Sequence, residues 1–424
     1  MRRLIDPDRR PAETLGDRFA SRMAVLGPWG ARPIAIAISG GADSLALAIL
    51  ARDWCSVTGR RMLALTVDHG LRPEAAEEVH AVATLMAAYA IPCQMLKIPP
   101  LEYGTAIAAR ARNARYEALF MACRQAGIVD LLLGHHARDQ AETILLRAES
   151  ASGEFGLAGI AAVSVRDGIR LVRPLLDTNP VDLRHELTAR GLCWIEDPSN
   201  QDQRSTRIRL RAELTDDREV ASLIDRAAHA GTERAQSELE TARWLALHAS
   251  IRPEGFAHLD CETSPPEALS ALIRTIAGRG YPPPAASIAA LVRALHPATL
   301  AGARIIKAPR NAPGFLILRE QAAIASPQQA EENSLWDRRF RLIRRGDLPI
   351  GATIGALGAD AARYRDHSDL PAAVLRTLPA IREDGRILCV PLLSAGPRNP
   401  DRGTQVQCTS PVPVAGALFR TLRG

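Results

Sequence analysis

The chain has 424 residues, 47% of them apolar, 4% aromatic and 24% charged, too long for one ordinary domain and apolar enough for several cores, so two or three domains are expected. Its net charge of +6 suits a polyanionic partner and equally a solvated surface. The seven cysteines are odd in number and form no CxxC pair, which excludes an encoded zinc site or disulfide framework and fits a reducing cytoplasm; MRRLIDPDRR lacks a signal-peptide core, and no apolar run approaches the roughly 20 residues that span a bilayer.

From residue 33 onward, short apolar runs alternate with longer amphipathic stretches. Strands are expected at Ile34–Ile38, Met62–Val67, Pro92–Ile98 and Val129–Gly134, and helices at Ser44–Val57, Pro73–Ala90 and Ala106–Ala126. Apolar strands separated by helices predict an α/β fold with a doubly wound parallel sheet and right-handed crossovers. Ligands bind such sheets beyond the carboxyl ends of the strands, where SGGADS (39–44), VDHGLR (67–72) and GHHARDQ (134–140) all fall. After Asp197-Pro198-Ser199-Asn200 the pattern changes to helical text over roughly 211–250 and 265–296, a β-rich stretch near 302–320, a polar linker at Ser326–Ser334 and a small mixed α+β domain. The expected domains are residues 1–212, a mainly helical 213–325, and 335–424.

A strand-to-helix turn with Gly40 and Gly41 lets a ligand approach the backbone, and the free N–H groups of the following helix attract anions. Ser39 and Ser44 add hydroxyl donors. Asp43 would repel a bare phosphate, so its presence implies Mg²⁺ between carboxylate and phosphate oxygens. The lysine of the Walker loop and the spacing of the dinucleotide fingerprint are both absent. A plain glycine turn with a capping side chain is the alternative.

The SGGxDS turn after a first strand resembles the pyrophosphate loop of the N-type ATP pyrophosphatases, which cleave ATP between the α and β phosphates. Further along come Val67–Arg72, Ala111-Arg112 with Arg115-Tyr116, Gly134–Thr143, Gly156–Gly159, Arg173–Leu176 and Glu196–Asn200. The ordered set resembles the bacterial tRNA(Ile)-lysidine synthetases, densely over 33–211. That resemblance implies adenylation of the C2 oxygen of the wobble cytidine in a CAU-anticodon tRNA(Ile), followed by displacement of AMP by the ε-amine of L-lysine. It implies ATP, Mg²⁺ and lysine as ligands, and a homodimer is compatible with it.

The resemblance puts Ser39, Gly40, Gly41, Ala42, Asp43 and Ser44 on the ATP phosphates and Asp68 and His69 beside the adenosine. Asp43, Asp139, His136 and Arg112 are the catalytic candidates, with Asp43 and Asp139 as the Mg²⁺ ligands. For Asp68, His69 and Asp139 the competing role is helix capping; the His135-His136 pair lacks a third metal ligand at recognisable spacing. Arg115, Arg204, Arg207, Arg209, Arg211, Arg338, Arg339 and Arg341 are candidate tRNA contacts, because guanidinium groups pair well with phosphates, and Trp336 and Phe340 lie interleaved with the last of these. A solvated arginine face is the alternative. Two departures stand out: Arg138 occupies the place of a second acid, and Glu149–Phe155 lacks the family's arginine. A tRNA thiolase, a small-molecule amidating ligase and an inactive tRNA-binding protein are the competing functions.

Overall fold

The computed structural model describes residues 13–68, 74–99, 107–149, 154–195, 214, 216–393 and 403–422. By contacts the chain divides into two compact units, Met1–Gln236 with Ala417–Gly424, and Ser237–Gly416.

The first unit is built on six strands, β1 (Ile34–Ala37), β2 (Met62–Asp68), β3 (Cys93–Lys97), β4 (Asp130–Leu132), β5 (Val163–Arg166) and β6 (Ile169–Val172), in the order β3-β2-β1-β4-β6-β5. All neighbours are parallel except β5, which folds back antiparallel on β6. Every residue of β1 is buried, as a central strand covered on both faces requires. Its alternation divides the two cores. Ile34 and Ile36 join Leu45, Ile49, Phe19 and Leu183 on one face, while Ala35 and Ala37 join Tyr116, Leu119 and Phe120 on the other.

The helices are α1 (Leu15–Leu26), α2 (Ala42–Thr58), α3 (Glu74–Ala88), α4 (Ile107–Gln125), α5 (Ala137–Glu149), α6 (Glu154–Leu157), α7 (Pro180–Ala189) and α8 (Asp217–His248). The expected alternation is present, with boundaries moved by one or two residues at most elements. Helices α1, α6 and α7 lie outside it. Helix α1 starts at a capping box in which Thr14 and Asp17 bond each other's backbone at 3.1 Å, and α7 starts at Asn179, whose Oδ1 accepts from Val181 N at 3.0 Å.

The second unit holds a five-stranded antiparallel sheet, β7 (Ala249–Arg252), β8 (Phe256–Leu259), β9 (Ala298–Leu300), β10 (Ala303–Lys307) and β11 (Phe315–Arg319), in the order β7-β8-β11-β10-β9. Helices α9 (Pro266–Ile276) and α10 (Ala285–Arg293) pack on it through Leu269, Leu272, Ile273 and Ile288. The rest comprises β12 (Gln328–Gln329), β13 (Leu335–Trp336), β14 (Phe340–Arg344), β15 (Thr353–Ala356), α11 (Ala372–Leu375), β16 (Pro379–Glu383), β17 (Arg386–Cys389) and β18 (Gln405–Cys408). They form a four-stranded sheet β12-β15-β16-β17 and a three-stranded sheet β13-β14-β18. The segment Ser326–Ser334, expected to be a linker, is instead integral: Gln328 and Gln329 pair with Ile354 and Thr353, and Ala330 is buried. Its polarity reflects an edge strand, with one side open to solvent.

Candidate active site

Strand β1 lies between β2 and β4, so the chain's direction of travel across the sheet reverses between β1 and β4. The crevice at such a switch point is where open α/β sheets bind ligands. The turn 38–41 leaves β1 there and runs into α2, whose N-cap Gly41 makes no side-chain cap hydrogen bond. The first-turn N–H groups are therefore left without a side-chain cap, as an anion site at a helix N-terminus requires. Ser44 Oγ accepts from Ser39 N at 3.2 Å and donates to Gly41 O at 3.0 Å, which closes the loop on itself. Gly40 has φ +87°, and a Cβ there would stand 2.8 Å from Val82 Cγ2 and 2.9 Å from Ile195 Cδ1; its carbonyl also accepts from Ile195 N at 3.0 Å. Only glycine meets both demands.

Four residues after the end of β4, His136 is 6% exposed, and its Nε2 lies 3.4 Å from Asp43 Oδ2 and 3.5 Å from Asp139 Oδ2. The approach is close because Gly134 packs under α2's first turn, where a Cβ would stand 3.2 Å from Ser44 Cα. Two carboxylates thus converge on one imidazole nitrogen. Asp43 Oδ1 is buried and has no hydrogen-bond partner among the described residues, as a carboxylate prepared for a hard cation would be. Asp139 also caps its helix, since its Oδ2 accepts from His136 N at 3.0 Å; capping and site roles coexist in one side chain.

A second, cationic group adjoins the first. Burial and the neighbouring Arg173 push His135 down to about 4, with Arg112 and Arg115 adding to the effect and Asp139 opposing it. Arg112 is exposed and lies over the Tyr116 ring at 5.5 Å; Arg115 is half-buried, and burial pulls its guanidinium below the usual arginine range. Arg173 is 7% exposed and donates through Nη1 to Ala161 O at 2.9 Å and Ser164 Oγ at 3.0 Å. The cluster suits a phosphate or carboxylate.

Gln140 and Arg173 stand out only in the structure. Each lies in a motif of the ordered set, and residue type alone gives it no distinguishing signal. Gln140 holds the turn after α6 from both sides, accepting from Ile160 N at 2.6 Å and donating to Ile160 O at 3.1 Å. Gly159, at φ +68°, leaves room for that amide.

Asp68 ends β2, on the same rim. His69, Arg204, Arg207, Arg209, Arg211 and positions 150–153 lie outside the described residues. Arg138 turns away from the carboxylates to Asp217 Oδ1, 3.4 Å from its Nη2, and Asn179 Nδ2 donates to the other oxygen of Asp217 at 3.0 Å. The arginine that replaces an acid here has an acid of its own.

In the second unit Arg338 is exposed, and Arg341 is half-buried with Nη1 on Asn333 O at 2.8 Å. Arg339 corrects the expectation for this stretch. It is 1% exposed, donates through Nε to Asp337 Oδ2 at 2.9 Å and through Nη1 to Gly255 O at 3.0 Å, and cannot reach a tRNA phosphate. Arg319 grips the same carboxylate with two bonds of 3.0 Å. Trp336 and Phe340 are wholly buried and stack at 6.0 Å, so they serve the core and not base stacking. No described helix is long and apolar enough to cross a membrane.

Comparison with known proteins places this site in context. Residues 16–218 match the model of the PP-loop domain family. The chain is 36% identical over 315 residues to the tRNA(Ile)-lysidine synthase of Hyphomonas neptunium, covering 69% of this chain and 84% of that one. Against the same-named protein of Mesorhizobium japonicum it is 35% identical over 361 residues, covering 80% and 79%. Among solved structures, a U34-tRNA thiolase from Methanococcus maripaludis superimposes with a TM-score of 0.44 and 14% identity, covering 50% of this chain and 76% of that one.

Proposed function

The chain belongs to the tRNA(Ile)-lysidine synthase family, and from that premise we infer that it catalyses ATP-dependent formation of lysidine at the wobble position of tRNA(Ile). The reaction has two steps. The C2 oxygen of the wobble cytidine attacks the α-phosphorus of ATP as the bond to the β-phosphate oxygen breaks, releasing pyrophosphate. The ε-amine of lysine then attacks C2, the C2–O bond breaks, AMP departs and the amine gives up a proton.

The single observation that carries the assignment of roles is the convergence of Asp43, His136 and Asp139 beside the open N-terminus of α2. In this reading the Ser39–Ser44 loop holds the departing pyrophosphate by backbone N–H groups and two hydroxyls. Asp43 and Asp139 hold Mg²⁺, and the unpartnered Asp43 Oδ1 supports that fit. The ion neutralises charge on the pyrophosphate when bound. His136 keeps the two carboxylates facing each other across the crevice. Arg112 and Arg115, with Arg173, steady the anionic groups of the adenylated tRNA, and Asp68 and His69 border the adenosine.

Residues 1–212 are assigned to catalysis, and 213–325 with 335–424 to tRNA binding; Arg204, Arg207, Arg209, Arg211, Arg338 and Arg341 are the proposed backbone contacts. A cytoplasmic location and a homodimer complete the proposal. The test is incubation of the purified protein with ATP, Mg²⁺, radiolabelled lysine and an unmodified CAU tRNA(Ile), with a CAU tRNA(Met) as control. Label entering tRNA(Ile) alone, with AMP and pyrophosphate released, is the expected result; tRNA-dependent AMP release without label would replace lysine by another nucleophile.

A further inference from the structure

Residues 419–422 leave the second unit's fold and pack within the first. Phe419 is 7% exposed, with its ring 4.6 Å from the Arg234 guanidinium, and Leu422 joins the core beneath α1 and α2. Arg420 makes two bonds that reach across the fold: its Nη1 donates to Gly27 O at 2.8 Å, and its carbonyl accepts from Ala162 N at 2.8 Å. Gly231 on α8 marks the seat. A Cβ there would stand 2.5 Å from Thr421 Cγ2 and 2.9 Å from Phe419 Cε1. A glycine inside a helix costs about 1 kcal/mol relative to alanine; here it provides the space in which the segment docks.

The bond to Ala162 leads to the active site. Ala162 O accepts from Arg173 N at 2.9 Å, and Arg173 Nη1 returns to Ala161 O at 2.9 Å. Ile160, two residues back, clasps the Gln140 amide from both sides. Gln140 directly follows Asp139 on α5, and Arg173 is the foremost charge acting on His135. Further along the same turn, Arg147 Nη1 donates to Gly156 O at 3.0 Å and Gly159 O at 2.6 Å. Turn 156–162 is therefore braced by α5 from within and by Arg420 from outside.

We infer that Phe419–Leu422 is a positioning segment for the adenylation step: by holding Ala162 it fixes the turn that sets Gln140 beside Asp139 and Arg173 beside His135. This rests on the functional reading above. None of the four residues touches the reacting atoms in that reading, so their effect passes through placement, where a 1 Å error costs about a hundredfold in rate.

The test uses three versions of the full protein: a chain ending at Leu418, Gly231→Leu and Arg420→Ala. Gly231→Leu fills the seat with a better helix former, so it dislodges the segment without weakening α8. Arg420→Ala keeps the carbonyl that bonds Ala162. Amide exchange at residues 160–173 is measured alongside kcat and KM for ATP in tRNA-dependent AMP release. The truncated chain and Gly231→Leu should exchange at least about tenfold faster at Ala162 and Arg173 and lose about 10- to 100-fold in kcat, with KM and helix content held. Arg420→Ala should stay near the parent in both. In the truncated chain or Gly231→Leu, unchanged exchange, unchanged kcat, or a loss of kcat that follows loss of helix content would each overturn the inference. If the parent chain itself releases no AMP, the functional reading fails, and exchange at Ala162 still decides whether the segment holds the turn.

Discussion

At the scale of single residues, adjacent side chains of one type have opposite roles. His136 faces two carboxylates, whereas His135 sits among arginines. The sequence reads both as one pair, because a histidine's task is set by what the fold brings to its ring. Asp43→Asn keeps the shape and removes the charge. Adenylation should fall about a hundred- to a thousandfold while the Kd for tRNA holds, measured by pyrophosphate release and filter binding; lost tRNA affinity would move Asp43 out of the phosphate site. His135 gives a pH prediction of definite sign. Folding lowers its pKa from an ordinary value near 6.5 to about 4, so between those values the unfolded chain binds the extra proton and stability falls as pH falls. His135→Asn should lose less stability than the parent between pH 6.5 and 4 in urea titrations. Equal losses would show that the fold does not hold His135 in its neutral form.

At the scale of elements, legibility followed periodicity. The strands and helices over 34–134 are apolar runs separated by turns, and the fully buried β1 is as apolar as a central strand must be. The five-stranded sheet was largely hidden, because β7 reads Ala-Ser-Ile-Arg and is mostly exposed, with no alternation to recognise. The burial of Arg339 is not legible in the sequence, because a buried, paired arginine and a surface one look the same there; the hairpin closes by folding it onto Asp337. Against burial, which raises it, bonds from Arg319 hold the Asp337 carboxyl below the usual range. Arg339→Ala leaves that network one cation short and should destabilise the second unit by about 3–5 kcal/mol, whereas Arg338→Ala, on the exposed neighbour, should cost under about 0.5 kcal/mol; chemical denaturation distinguishes them, and equal costs would refute the buried network. The phosphate loop gives the sharper case. Gly40→Ala meets Val82 and Ile195 at a positive φ, so KM for ATP should rise at least about tenfold. An unchanged KM would mean that the loop's backbone does not carry the phosphates.

At the scale of the whole molecule, the charge of +6 says little until it is divided among sites. Part of the arginine excess is internal: Arg319 and Arg339 share one carboxylate, and Arg173 is buried beside His135. These contribute to the formal charge without meeting a phosphate. The tRNA term must come from arginines that reach the backbone, and counterion release makes it measurable, since log K falls with log salt by about 0.7–0.9 for each phosphate neutralised. Replacing Arg207, Arg209 and Arg211 together by glutamate should lower that slope by about 2–3. Replacing Arg338 and Arg341 in the same way should lower it by about 1–2 if both segments bear on tRNA. Fluorescence anisotropy over 50–300 mM salt resolves the two sets. A slope that changes only with the first would confine backbone contact to the segment following Asp197-Pro198-Ser199-Asn200 in sequence, and the exposed Arg338 would then be part of a solvated face.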